Sequence, residues 1–152
     1  MDVPAQQMAV VRRQVPTEGL TQFVEEALSV VMDEAMAHGW RIAGRPVARL
    51  HRGGSTLDVE AGYPVAEPVE ATGQVVPSQI PAGPAVTVLH VGAPDRLQET
   101  YAAAREWMRE HQIELVDAPW ESYLDPPGTP RPRTAVFLPC ARERIPQQRA
   151  RE

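Results

Sequence analysis

The chemistry-bearing side chains of this chain gather in one short stretch, Pro119-Trp120-Glu121-Ser122-Tyr123-Leu124-Asp125-Pro126-Pro127. A run with Trp, Tyr and Leu, closed by paired prolines, predicts a β-strand that ends in a forced turn. Successive strand side chains point to opposite faces, so Glu121 and Tyr123 share one face while Trp120, Ser122 and Leu124 share the other. A carboxylate beside a phenol can pair with a cation or move a proton. In an apolar setting its pKa would rise, because a buried carboxylate is costly to keep charged without a partner. Either role would use that shift. Periodicity alone also fits an edge strand whose Glu121 is merely solvated.

Residue types close off other chemistries. All 15 basic residues are arginines, which excludes a lysine Schiff base and a Walker-type phosphate loop. Cys140 is the only cysteine, so neither an intrachain disulfide nor a cysteine zinc cluster can form. His38, His51, His90 and His111 are scattered without ligand spacing, so neither a metal site nor a cofactor is expected. The formal charge of −5 argues against a direct nucleic-acid surface. The first residues, MDVPAQQMAVV, lack a basic and then apolar leader pattern, and no run of 18 apolar residues occurs. The expectation is a soluble cytoplasmic protein with no membrane partner.

The chain of 152 residues is long enough for one domain with its own core. Met8–Val15 reads as a strand halted by Pro16, and Thr17 as a helix cap. Leu20, Phe23, Val24, Ala27, Leu28, Val31 and Ala35 then form the buried stripe of a helix to His38, closed by Gly39. Met32 and Met36 read as core filler. Pro46–His51 and Thr56–Val65 are strands joined by an Arg52–Ser55 hairpin loop. Residues 64–83 form a proline-rich connector, with Gly73–Ile80 a candidate edge strand.

The order then repeats. Ala85–Val91 is a strand, and Asp95 with Gln98 starts a second helix in the manner of a capping box. Leu97, Tyr101, Ala104, Met108 and His111 follow one face of it, with Trp107 beside them as a core candidate. Pro119–Asp125 and Thr134–Pro139 are the last strands. The halves match at an offset of about 73 to 77 residues, which gives two βαββ units, roughly 8–66 and 73–141. The predicted fold is α+β: duplicated βαββ units forming an antiparallel sheet, with two helices on one face and a ligand cleft between the halves. Residues 1–7 and 142–152 are predicted to be flexible tails. In this alignment Ala48 stands opposite Glu121, so the carboxylate is not part of the repeated scaffold.

Several segments in sequence carry a family resemblance. They are Leu57-Asp58-Val59-Glu60-Ala61-Gly62-Tyr63-Pro64-Val65, Ile80-Pro81-Ala82-Gly83-Pro84, His90-Val91-Gly92, Leu97 to Trp107, and Trp120-Glu121-Ser122-Tyr123. In this order and spacing the chain resembles the GyrI-like small-molecule-binding domain over about residues 8–140. One departure is Gly92-Ala93-Pro94, where many members carry Gly-Pro-Tyr. The resemblance implies a cleft for bulky, lipophilic, often cationic compounds, with Glu121 as the acidic group at its floor and aromatics around it. Many relatives are fused behind a DNA-binding helix-turn-helix, whereas few residues precede the first strand here, so a standalone binding protein is expected.

The expected partner is thus a hydrophobic small molecule, cationic or polycyclic, with Glu121, Tyr123, Trp120, Tyr63 and Trp40 as ligand-binding residues. One alternative is a hydrolase of strained, cyclopropane-bearing toxins, with Glu121 and Tyr123 as its catalytic pair. Another is a protein-interaction module such as a gyrase inhibitor. Beyond these, Cys140 reads as an inert thiol, His90 as a capped structural histidine, and Asp58 with Glu60 as a solvated or groove-rim face.

Overall fold

The computed structural model describes residues 2–51, 55–93, 96–126 and 129–142. The first half contains β1 (Asp2–Val3), β2 (Gln6–Val15), α1 (Leu20–His38), β3 (Val47–His51), β4 (Leu57–Val65) and β5 (Val76–Ile80). The second contains β6 (Gly83–Val91), α2 (Leu97–Glu110), β7 (Ile113–Leu115), β8 (Trp120–Tyr123) and β9 (Arg133–Arg142). Every strand pairing is antiparallel, in the order β1-β6-β9-β8-β3-β4-β2-β5, with β7 on β9.

The middle of that order is palindromic. The path β6-β9-β8 mirrors β2-β4-β3, and the two halves join where β3 meets β8. The matched positions of the two repeats therefore face each other: Ala48 is the direct register partner of Glu121. A small side chain on one repeat thus leaves space beside a carboxylate on the other.

Both helices lie on one face of the sheet. Phe23, Val24, Ala27 and Val31 of α1 pack on Ala9, Val11, Ala48, Val59 and Ala61. Leu97, Ala104 and Met108 of α2 pack on Val136 and Leu138. Register carries Val11, Ala61, Ala48, Glu121, Val136 and Val88 across the sheet as one row, so these clusters share a side. Gly39 ends α1 in the left-handed conformation, φ 70°, as the sequence predicts. Gly62 is required for a different reason: a Cβ there would lie 1.9 Å from the Ala9 carbonyl oxygen.

The other face is closed by curling. β5 and β6 are joined by two residues yet lie toward opposite ends of the strand order, as do β1 and β2. The sheet bends to bring those ends together and buries Met8, Val10, Val47, Ile80 and Trp120 inside. No helix among the described residues is long and apolar enough to cross a membrane.

Several expectations are corrected. Thr17 caps nothing; it opens a short 3₁₀ turn, and no side chain caps α1. Asp2–Val3 and Ile113–Leu115 are strands too short to show a period. Met36 is 78 % exposed, one position past the buried stripe, and Trp107 is 46 % exposed, stacked on an equally outward His111. Glu60 is no solvated rim residue: the curl buries it to 4 %, bonded by Ser78 Oγ at 2.7 Å and His51 Nε2 at 3.2 Å. The Arg52–Ser55 hairpin loop, the Asp95 capping box and the tail beyond Arg142 lie wholly or largely outside the described residues.

Candidate functional site

Glu121 sits at the centre of the sheet, on the helix side, where β8 meets β3. It is 3 % exposed. The two-residue strand period brings Tyr123 beside it, and the Tyr123 hydroxyl donates to Glu121 Oε1 at 2.7 Å. The second partner comes from α2. Tyr101 projects from the helix stripe and donates its hydroxyl to Oε2 at 2.9 Å. Each carboxylate oxygen therefore holds one phenol.

Burial raises the Glu121 pKa above its ordinary value. The hydrogen bonds from Tyr123 and Tyr101 pull it back, with a further pull from His90, but do not cancel the shift. The Tyr101 and Tyr123 phenols are both pushed up, first by burial and then by the neighbouring carboxylate charge. They remain donors at any physiological pH. Among the described residues no arginine or histidine lies within 4.0 Å of the carboxylate as an ion-pair partner. The arrangement is a buried carboxyl whose two oxygens each accept a phenol hydrogen bond and which, among the described residues, has no ion-pair partner.

A polar row continues along β8's neighbours. Thr134 is the register partner of Tyr123, and His90 that of Thr134, so all three lie on the same face. Both ring nitrogens of His90 are used: Nδ1 meets Thr100 Oγ1 at 2.7 Å, and Nε2 meets the Ala93 carbonyl at 2.9 Å. His90 thus staples the turn after β6 to the first turn of α2, one residue before Tyr101.

The remaining candidates divide by face. Tyr63 and Trp40 are half-buried and pack with Tyr123 against the α1 cluster. The Tyr123 N–H bonds to the Pro46 carbonyl, just before β3. Tyr63 has its phenol raised by burial. Trp40 also stacks on His38, with ring centroids 5.4 Å apart. Trp120 lies on the opposite face from Glu121, 2 % exposed and stacked on Phe137 at 5.2 Å. The structure therefore groups Glu121 with Tyr123 and places Tyr63 and Trp40 on the same side, but separates Trp120 from them.

Tyr101 was not among the sequence candidates. Its place on the apolar stripe of α2 was visible, and a phenol on such a stripe needs a polar partner when buried, which is the signal that points to it. The floor of the expected cleft is covered. A depression of about 360 Å³ lies between α1 and the C-terminal half of β2, and one of about 260 Å³ between β6 and Trp107; neither is lined by Glu121.

Comparison with known proteins fits this architecture. The C-terminal domain of EcmrR superposes with a TM-score of 0.81 at 22 % identity, covering 94 % of this chain and 96 % of that one. EcmrR in its complex with DNA gives 0.84 and 22 %; this chain covers only 56 % of that longer chain. SAV2435 bound to tetraphenylphosphonium gives 0.65 at 9 % identity, with coverages of 93 % and 92 %. A hydrolase encoded by lin2189 from Listeria innocua gives 0.63 at 14 %, with coverages of 93 % and 90 %. At these identities the likeness is one of fold. No curated protein sequence matches. A family model does, over residues 1–140, and with it the chain belongs to the family of the GyrI-like small molecule binding domain.

Proposed function

We propose that the ligand of this binding domain is a lipophilic cation, received by Glu121. The observation that carries the proposal is the unpaired acidic group: a carboxyl 3 % exposed, its pKa raised by burial, holding two phenols but no cationic side chain among the described residues. A buried carboxylate in that state gains most from a partner that brings positive charge without a large hydration shell. A quaternary onium or an amine on an aromatic body has that character, and the faces of Tyr101, Tyr123, Tyr63 and Trp40 would add cation–π attraction. Tetraphenylphosphonium in SAV2435 is a ligand of this type. Entry requires the Tyr101 hydroxyl to leave Glu121, so the ligand's charge replaces a hydrogen bond.

The reading is tested by calorimetric titration of the protein with tetraphenylphosphonium and with a neutral polycyclic of similar size. Glu121→Gln keeps the shape and removes the charge. Loss of one partner of a desolvated charged pair costs about 2–5 kcal/mol, a drop in cation affinity of roughly thirty-fold or more, with the neutral compound little changed. Equal cation affinity in parent and variant would reject the proposal.

One observation also supports a hydrolytic reading. A carboxyl with raised pKa between two phenols meets the requirement for a general acid or base. In that case Glu121→Gln would bind a cyclopropane-bearing electrophile as the parent does and turn it over at least about a hundred-fold more slowly. Absence of turnover in the parent would dismiss this second reading.

A further inference from the structure

We infer that the free edge of β6 is a self-association surface, on which a second copy of this chain adds its own β6 in antiparallel register. Among the described residues, β1 pairs with the outer edge of β6 at Gly83 and Pro84, Ala85 is also engaged, and beyond Ala85 no described residue pairs with that edge. On the inner side, the Gly92 N–H bonds to the Pro132 carbonyl, while the Pro139 carbonyl, opposite Ala85, turns away to the Val116 N–H. Antiparallel ladders alternate, so even-numbered residues of β6 bond to β9. The N–H and C=O groups of Thr87, Leu89 and Val91 therefore point outward, without partners among the described residues.

This edge lacks the devices that blunt open strands. Proteins protect such edges with charged residues, prolines or bulges. From Thr87 to Val91 the sequence is Thr-Val-Leu-His-Val, in a chain where 23 % of residues are charged. Leu89 is 55 % exposed and Val91 46 %. Trp107, 46 % exposed, stands over the same edge and lines a depression of about 260 Å³ with Val86, Thr87, Val88 and Ala104.

The occupant follows from the spacing and the charge. A two-fold axis through Leu89 sets Leu89 opposite its own copy and Thr87 opposite the copy's Val91. All three outward-pointing residues then fall into doubly hydrogen-bonded pairs at once. A formal charge of −5 works against self-association, and this strand is a place where two copies meet without opposing charges. A basic or acidic partner would find nothing on the strand to pair with.

The experiment uses the whole chain. Sedimentation velocity over a concentration series should show a species of twice 16.7 kDa, and hydrogen exchange should show the Thr87, Leu89 and Val91 amides slowing as concentration rises. Leu89→Lys places two like charges face to face on the axis. It should sediment as a monomer wherever the parent is a dimer. Its tetraphenylphosphonium affinity should be unchanged, since Leu89 lies on the opposite face from Glu121. A second variant, Thr87→Pro, removes one outward N–H and should weaken the dimer while leaving the β9 ladder intact. A parent that stays monomeric at every concentration, or a dimer that survives both variants, overturns the inference.

Discussion

Glu121→Gln should make the free protein more stable while weakening cation binding. The sign follows from the raised pKa. Burial outweighs the two tyrosine hydrogen bonds, so the charged form is disfavoured relative to its state in the unfolded chain. Glutamine fills the same space, accepts one phenol through its carbonyl, and can donate to the other. Removing a charge that burial disfavours should therefore raise stability at neutral pH, where the carboxyl has to ionise at that cost. For a domain of this size each 1 kcal/mol gained raises Tm by roughly 2–4 °C, so the gain is readable as an increase in Tm.

The gain must also depend on pH. A carboxyl whose folded pKa lies above its unfolded value of 4.5 destabilises fully above the folded pKa and not at all below the unfolded one. The difference in Tm between variant and parent should therefore shrink as the pH falls through the raised pKa toward about 4.5. Scanning calorimetry of both proteins across that range measures it. A variant several degrees less stable than the parent at neutral pH would refute the reasoning, because the hydrogen bonds would then exceed the cost of burial.

Three further outcomes follow from the same geometry. Tyr101→Phe leaves Glu121 Oε2 without its donor, so stability at neutral pH should fall by about 1–3 kcal/mol in urea unfolding, and the Glu121 pKa should rise further. Trp120→Ala removes a ring stacked on Phe137 in the closed interior and should cost about 3–5 kcal/mol; a near-neutral change in stability with lost cation affinity would instead place Trp120 with the ligand. Gly62→Ala forces a Cβ against the Ala9 carbonyl, so a loss above about 4 kcal/mol, read as failure to fold or a collapsed urea midpoint, is expected.

What the sequence showed and what it hid divide along the range of the interactions. The Glu121–Tyr123 pair was legible because strand alternation is local and two residues suffice to set it. The helices and their common face were legible because their stripes repeat every three or four residues. Tyr101 reaches Glu121 across 20 positions of chain, and only packing of α2 on the sheet makes that contact. Glu60 was misread, and the burial of Trp120 was not visible, for one shared reason: alternation tells which residues share a face but not that the second face is itself enclosed. That enclosure comes from the curl joining β1 and β2 to β5 and β6, a property of strand order rather than of any one segment. Met36 and Trp107 erred because each sits next to a stripe, where one position turns a side chain outward.

The central claim is that Glu121 receives the charge of the ligand, and the carboxyl carbon of Glu121 reports on that directly. With ¹³C-labelled glutamate, its resonance is titrated by NMR in the free protein and again with saturating tetraphenylphosphonium, Glu121→Gln serving to assign the signal. The free protein should titrate above the usual carboxylate range, and the bound one well below the free value, with affinity rising as pH increases through the free midpoint. An unchanged midpoint in the presence of bound cation would contradict the account.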